Sequence, residues 1–332
     1  MGSRGRVIQA VPNEIVLLIA GYMDITTLSC FMATSKGINV FVKYHERSIS
    51  KKRAATFTLP PLGAILSSCS DERHVIPKNS FAMLLELERR DIRIDRMIKE
   101  RPKKFCIPSP PWLPSLTPLG QIRLVPIIKR ALHQCDRIAD IAANEWPIPP
   151  GYYRNIPDGV YELPEALIPP TTQLSKFNPL TNPRARPKQI EYIQSLSLED
   201  VTGLMLLLNM LGHGIMSHCT SATHFERMVV MEECILRHGT WFLWARLSRK
   251  PSLLELAIYI MSGGRAEASY WESGDITDLA GLKMTLLGQF KKLLGGETHN
   301  EFAERIPGAF KTLLRGDDKG GKLWVHDFDY DD

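Results

Sequence analysis

The sequence has 332 residues, and at about 100 to 200 residues per domain it has room for two or three domains. Hydrophobic residues make up 44% of it and charged residues 23%, which excludes a globally disordered chain. The net charge of +5 is too small to favour a nucleic acid as the partner. No apolar run approaches the roughly 20 residues that span a bilayer, so we expect no membrane partner.

The amino-terminal residues MGSRGRVIQA lack the continuous apolar core of a secretory signal. The six cysteines are scattered without a C-x-x-C pair, which is typical of reduced thiols. We therefore expect a protein of the cytoplasm, the nucleus or both. All six thiols are expected to be unpaired: Cys30, Cys69, Cys106, Cys135, Cys219 and Cys234.

The first predicted helix begins near Pro12, which suits a first turn because its missing N–H costs no hydrogen bond there. Glu14 favours the positive end of the helix dipole. Four apolar residues recur at i, i+3, i+4 and i+7 and form one stripe on a helix. They are Ile15, Leu18, Ile19 and Tyr22.

Two more short helices are predicted before residue 45. Thr26 or Thr27 is the expected cap of the second, which carries Leu28, Phe31 and Met32. The third starts near Ser35, and its inward residues are expected to be Ile38, Phe41 and Val42. Three small amphipathic helices in about 35 residues cannot easily bury their apolar faces alone. We therefore expect a partner.

Residues 11–41, roughly a tenth of the chain, resemble the F-box, a short helical module. The family pattern opens with Leu-Pro-x-Glu-Leu, continues to a Tyr-Leu helix end and a Leu-rich second helix, and closes on a Cys/Ser-Lys-x-Trp turn. Val11 stands where the pattern has Leu, and Ile38 stands where Trp is common. The match needs no gap and consists of Val11, Pro12, Glu14, Ile15, Ile19, Tyr22, Met23, Leu28, Ser35, Lys36 and Ile38.

The resemblance implies docking onto a Skp-type adaptor and, through it, a cullin in a ubiquitin ligase. The rest of the chain would recruit a protein target that the sequence does not identify, with no chemistry and no cofactor of its own. The alternative is a non-ligase scaffold or regulatory protein, or a plain helical hairpin that packs internally. By resemblance, the adaptor-binding residues are Val11, Pro12, Glu14, Ile15, Ile19, Leu28, Lys36 and Ile38.

A strong helix is predicted from residue 79, capped by Asn79 or Ser80. Arginines interleave with acidic residues along it, which predicts paired charges on a solvent-exposed face. These residues are Glu86, Glu88, Arg89, Arg90, Asp91, Arg93, Asp95 and Arg96. The next helix is predicted over residues 123–146, with Ile127, Ile128, Ala131, Leu132, Ile138 and Ile141 inward.

Prolines are concentrated in the middle of the chain, with seven between Pro102 and Pro126 and ten between Pro147 and Pro187. No regular helical array is expected to run through that density. Fragments at Pro61-Leu62 and Thr117-Pro118-Leu119 faintly resemble ankyrin repeats, but the period of about 33 residues is not kept.

From Lys188 onward the sequence predicts helices. Ser197 with Asp200 caps a buried helix over 201–211, Gly239 ends the next helix, and Ser252 caps another. The predicted fold is all-α. The predicted divisions are an F-box at 8–50, a helical linker region with a Pro-rich loop at 51–146, an irregular segment at 147–187, an α-helical domain at 188–315 and a flexible acidic tail at 316–332.

No candidate for chemistry follows from the remaining motifs, and we expect neither an enzyme nor a metal site. The spacing of His213, His218, Cys219, His224 and Cys234 matches no usual zinc pattern. Residues 316–323 outline a P-loop, but Leu323 replaces its Ser or Thr. A pocket near His213, Glu226 and Trp241 would be needed for an enzyme. The acidic tail is either solvated or a short partner-binding motif with Trp324, Phe328 and Tyr330.

Overall fold

A computed structural model describes residues 11–68, 74–99, 116–144, 185–216, 224–248, 281–295 and 298–314. These ranges contain twelve helices and one two-stranded antiparallel sheet, so the predicted all-α fold class is confirmed. Ile65 pairs with Ile76 and Leu66 with Val75 in the sheet. Among the described helices, none is both long enough and apolar enough to cross a membrane.

Four short helices open the fold: α1 Asn13–Ala20, α2 Ile25–Ala33, α3 Lys36–Tyr44 and α4 Glu46–Ala54. Strands β1 Ile65–Leu66 and β2 Val75–Ile76 follow. The next four helices are α5 Phe81–Lys99, α6 Pro118–Asn144, α7 Ala185–Gln194 and α8 Leu198–Met216. The last four are α9 His224–His238, α10 Thr240–Ser248, α11 Gly281–Leu294 and α12 His299–Leu313.

Side-chain caps fix the beginnings of several helices. Asp24, and neither predicted threonine, caps α2: its carboxylate accepts the Thr27 N–H at 2.7 Å. A carboxylate directly before a helix reaches the third N–H, which makes Thr27 the donor of this cap. The predicted caps Ser80 and Ser197 are confirmed, since Ser80 accepts the Met83 N–H at 3.1 Å and Ser197 accepts the Asp200 N–H at 3.2 Å.

Glycines with a left-handed backbone end two helices. Gly239 ends α9 with φ +68°, and Gly295 ends α11 with φ +66°. The end at Gly239 was predicted from the sequence, because glycine adopts this conformation without the steric cost that other residues have. At Gly239 a Cβ atom would also lie 2.4 Å from a carboxylate oxygen of Asp136, so no larger residue fits.

Helices α1 to α4 pack against the first half of α5 and against the sheet, and form a small core of their own. Its fully or nearly buried residues are Ala20, Ile25, Leu28, Ile38, Val42, Ile49, Ala54, Ile65, Ile76, Met83, Leu84 and Leu87. Glu88 of α5 accepts the first N–H of α2, at Ile25, over 3.1 Å. The amino-terminal helices therefore rest on α5, which acts as their platform.

The larger core surrounds α8, whose residues are all buried from Val201 to Leu208. Helices α6, α9, α11 and α12 pack around it. The predicted buried central helix is thus confirmed, and its lack of a polar face is explained because neighbours cover it on every side. Phe290 of α11 contacts the rings of Phe302 and Phe310 of α12 edge to face, at centroid distances of 5.7 and 6.2 Å.

Helix α6 begins inside the first proline-rich region, at Pro118, five residues before the predicted start at residue 123. Pro118 is its first residue, and Thr117 accepts the Gly120 N–H at 3.1 Å. Proline suits that position because no hydrogen bond is lost there. Pro126 lies inside the helix but is exposed, as is Ile122, whose carbonyl would have been its partner. Water can bind that carbonyl, so the helix continues.

Two buried carboxylates cap helices that lie far from them in sequence. Glu233 of α9 accepts the Leu282 and Lys283 N–H groups of α11 at 3.1 and 2.9 Å, and Arg237 donates to it at 2.6 Å. Asp136 of α6 accepts the Thr240 N–H of α10 at 2.7 Å. Unpaired N–H groups at a buried helix start are costly, so these carboxylates fix how α10 and α11 dock.

Helix α5 is not the surface helix that its charge pattern predicted. Glu86, Arg90 and Arg93 are only 1%, 3% and 7% exposed. Helices α1 to α4 cover one side of α5 and α6 covers another, so few positions, among them Arg96, remain exposed. The pattern of interleaved charges does not show which charged side chains of α5 pair with residues from other parts of the chain.

Arg90 joins three elements of the fold. It donates to Glu86 at 3.0 Å and to both oxygens of Asp140 on α6 at 2.7 and 2.9 Å. It also donates to the Leu66 carbonyl of β1, and Asp140 accepts the Leu66 N–H at 2.9 Å. We call Glu86, Arg90 and Asp140, with the Leu66 backbone, the Arg90 cluster. It connects the amino-terminal helices and the sheet to the larger core.

Replacing Arg90 with alanine is expected to lower the free energy of unfolding by about 3 to 5 kcal/mol, because the buried carboxylate of Asp140 loses its guanidinium partner, while Glu86 keeps its contacts with Ser68 and Arg93. The measurement is equilibrium denaturation by urea. Arg96→Ala, on an exposed position of the same helix, is the matched control and should change stability by no more than about 0.5 kcal/mol. Equal effects of the two substitutions would contradict the role given to Arg90.

Candidate docking surface on the amino-terminal helices

The apolar stripe predicted on α1 exists, but it faces solvent. Ile15, Leu18 and Ile19 are 44%, 47% and 43% exposed, and Tyr22 is 71% exposed. The fully buried residues of α1 are the smaller Val16 and Ala20, and Leu17 is partly buried against the amino-terminal core. A helix normally turns its larger apolar stripe towards the core, so this orientation marks a surface suited to a partner. We call these four residues the α1 face.

Small residues on the inner side allow α1 to lie this way. Ala20 is only 1% exposed, and a Cβ atom on the adjacent Gly21 would lie 3.3 Å from the Lys52 side chain of α4. The Lys52 ammonium lies 4.5 Å from the centroid of the Tyr22 ring. Close approach at Ala20 and Gly21 therefore sets α1 against its neighbours while its larger side chains stay outside.

Helix α3 also has one buried and one exposed apolar side. Ile38 and Val42 are buried, whereas Val40 is 70% and Tyr44 83% exposed. The exposed side borders a shallow, open depression lined by Lys36, Gly37, Val40, Phe41 and Tyr44, which we call the α3 groove. His45 contacts the Tyr44 ring edge to face at a centroid distance of 5.0 Å.

The predicted adaptor-binding residues fall into two groups. Pro12, Glu14, Ile15, Ile19 and Lys36 are exposed, and Val11 is partly exposed. Leu28 and Ile38, in contrast, are 1% and 7% exposed and belong to the amino-terminal core. In this conformation their side chains hold the helices together and present no surface to a partner. A family pattern includes both core positions and exposed positions and does not distinguish between them.

Four exposed apolar residues were absent from the predicted interface: Leu18, Tyr22, Val40 and Tyr44. The first two belong to the stripe that the helical spacing had already indicated. Val40 and Tyr44 are spaced i, i+4, on the side of α3 away from Ile38 and Val42. The same spacing rule could have found them once the inward residues of α3 were assigned.

The groove lies on a basic part of the surface. Exposed cations line α3 and α4 at Lys36, Lys43, Arg47, Lys51 and Lys52. Glu46 is the sole acidic residue of these two helices, and its carboxylate accepts the Phe81 N–H at the start of α5 over 2.6 Å. The field around the α3 groove is therefore positive, which favours a negatively charged ligand.

Other candidate sites carry no comparable signal. Within the described residues, no three His, Cys, Asp or Glu side chains form a group that could hold a metal ion. Cys30, Cys135 and Cys234 are thiols and not disulfides. Trp241 is buried in the core. The side chains of His213, His218, Cys219, His224 and Glu226, the Ser252 helix, the P-loop outline and the acidic tail lie outside the described residues.

A small cavity of about 40 Å³ lies beside the Arg90 cluster, under residues 57–64. Its polar side chains already bind within the protein. His133 contacts Asp91 at 3.0 Å, Asp136 caps α10, and Arg137 donates to the Pro60 carbonyl and, at 3.4 Å, to the Tyr192 hydroxyl. These groups hold the loop and the helices together, so the cavity offers little to a ligand.

Comparison with models of known protein families gives no match to this chain. Comparisons with curated proteins and with solved structures give none either. The F-box resemblance of residues 11–41 therefore rests on the residues themselves.

The Asp24 cap at the beginning of α2 predicts that the stability of the fold depends on pH. Hydrogen bonds from the Thr27 N–H and then from its hydroxyl lower the pKa of the Asp24 carboxyl. Because the pKa of Asp24 is lower in the folded state than in the unfolded state, the cap gives its full stabilisation at pH values above the ordinary pKa. This stabilisation is lost as the pH falls through the lower folded-state pKa. Asn also caps helices well and does not titrate.

We therefore expect the natural chain to lose more unfolding free energy than the Asp24→Asn variant as the pH falls. Denaturation curves of both proteins from about pH 6 to about pH 2 measure it, and other carboxyl groups cancel in the difference. A difference that stays constant over this range would contradict the Asp24 cap.

Proposed function

We propose that this chain is an F-box substrate receptor, which docks onto a Skp-type adaptor of a cullin-based ubiquitin ligase and brings a protein target to it. The observation that carries the proposal is the outward orientation of the α1 face. Its residues fall within the stretch that resembles the F-box, and they lie side by side on one exposed helix surface. A contiguous exposed apolar surface of this kind favours a protein partner.

The core beneath α1 supports the same proposal. Leu28 and Ile38 are buried against α5 and its neighbours, and the Ile25 N–H is bound by Glu88. The docking helices are therefore held in place before any partner arrives. Such preorganisation reduces the ordering cost of binding, so a small apolar face suffices for affinity.

The larger helical core would present the target. By this proposal the chain performs no chemistry: it raises the local concentration of the target near the enzyme that carries ubiquitin. Exposed apolar residues on α6, Leu119 at 52% and Ile122 at 68%, offer one further surface at a distance from α1 in the sequence. They are one place where a target could bind.

A second candidate function is a scaffold that binds the adaptor outside any ligase. The observation that favours it is the burial of Ile38, which stands where F-box sequences commonly have an interface tryptophan. Loss of an aromatic anchor removes a typical hot spot. Under this alternative the adaptor binds the chain, but no cullin is present in the same complex.

The test is co-purification of the full chain with a Skp-type adaptor, followed by measurement of the dissociation constant. Replacing Ile15 and Leu18 together with aspartate is expected to weaken binding about 30-fold or more, because charges at two central apolar contacts remove about 2 kcal/mol or more. Both side chains are exposed, so the fold should persist, and thermal unfolding checks this.

The matched control is Leu119→Asp with Ile122→Asp, an exposed apolar pair with the same i, i+3 spacing on α6. Adaptor binding by this control should be unchanged. Failure of the intact chain to bind the adaptor, or equal losses in both double variants, would rule out the proposed docking surface. Adding the cullin separates the two candidates, since only a ligase receptor forms the three-component complex.

A further inference from the structure

The α3 groove combines three features that the adaptor proposal does not use. Val40 and Tyr44 leave a large apolar area exposed to solvent. Lys36 lines it, and four more exposed cations follow along α3 and α4. Glu46, the single carboxylate of these helices, is engaged by the Phe81 N–H. The groove therefore favours a ligand that is both acidic and apolar.

The chain itself contains a segment of this composition. Residues 316–332 lie outside the described residues, and their sequence is GDDKGGKLWVHDFDYDD. Aspartates alternate with aromatic residues near its end, in the order Asp327, Phe328, Asp329, Tyr330, Asp331 and Asp332, after Trp324. Six aspartates against two lysines make it the charge complement of the α3 and α4 surface.

We propose that residues 324–332 dock into the α3 groove of the same chain. The aromatic side chains would cover Val40 and Tyr44, while the aspartates would approach the surrounding cations. Single exposed ion pairs contribute little, and aromatic burial supplies the rest of the attraction. Docking within one chain needs only weak affinity, because the covalent connection to α12 holds the segment at an effective concentration on the order of millimolar.

The intervening residues are numerous enough to reach the amino-terminal part of the fold. Leu314, the last described residue, is fixed near the beginning of α6, because its carbonyl accepts from Arg123 at 3.2 Å. The other end of α6 meets the amino-terminal part of the fold, where Asn144 accepts the Ala64 N–H at 2.8 Å. That stretch of α6 is about 32 Å long at about 1.5 Å per residue. The fourteen residues from Leu314 to Phe328 reach about 48 Å when extended.

Zero-length cross-linking of carboxylates to lysines by a carbodiimide, read by mass spectrometry on the full chain without adaptor, tests the proposal. Expected products join the tail aspartates to the exposed lysines of α3 and α4, which we call the groove lysines: Lys36, Lys43, Lys51 and Lys52. The comparison set is the exposed lysines Lys188, Lys291, Lys292 and Lys311, which are all nearer to the tail in sequence. Links to the groove lysines should exceed links to the comparison set about tenfold or more.

A variant that keeps every lysine shows whether the groove itself is responsible. Replacing Val40 and Tyr44 with aspartate should reduce links to the groove lysines to the level of the comparison set, because the apolar contact is lost and negative charge is added. The exposed pair Leu119→Asp with Ile122→Asp is the control and should leave them unchanged. Thermal unfolding of both variants checks the fold.

Mixing isotope-labelled and unlabelled chains distinguishes docking within one chain from docking between two chains. Links that join only like-labelled segments support docking within a chain, whereas links between labels would overturn it in favour of a second copy. An even spread of links over all exposed lysines would show a solvated tail and would also overturn the proposal. No adaptor takes part, so failure here is separate from failure of the proposed ligase function.

Discussion

The buried guanidinium of Arg90 is the constraint on which the two parts of the fold depend. It binds a carboxylate of its own helix, a carboxylate of α6 and a carbonyl of β1, so three elements meet at one positive charge. A buried cation is stable only when such partners surround it. The position of α5 between the amino-terminal helices and α6 follows from this requirement. The surface that α1 presents depends in turn on α5, because the helices below it rest on that platform.

The amino-terminal helices show how a small module keeps an apolar face available. Small residues such as Ala20 pack inward, and the larger Ile15 and Ile19 stay outside. The inner contacts with α5 supply the burial that the short helices need, since helices of eight or nine residues are marginal alone. Support of the core and exposure of large apolar side chains are thus assigned to opposite sides of α1. The same division appears on α3, where Ile38 is inside and Tyr44 outside.

Local signals predicted several helix beginnings and the end of α9, because caps and glycine ends act over three or four residues. Ser80, Ser197 and Gly239 are examples, and the missed cap at Asp24 lies within three residues of the predicted ones. Long-range contacts could not be predicted in this way. Nothing near Glu233 in the sequence indicates that it caps a helix beginning at Gly281. Likewise, the interleaved charges of α5 gave no indication that Arg90 would be buried.

The sequence by itself determined the all-α class, the approximate beginnings of helices such as α1, α3, α5 and α8, and the apolar stripe on α1, because helical periodicity and caps are properties of neighbouring residues. It also supplied the F-box resemblance. Only the tertiary structure decided which side of each helix faces the core. It turned Ile15 and Leu18 to solvent and placed Leu28 and Ile38 inside. The physical reason is that burial depends on the elements that pack against a helix, and those come from distant parts of the chain.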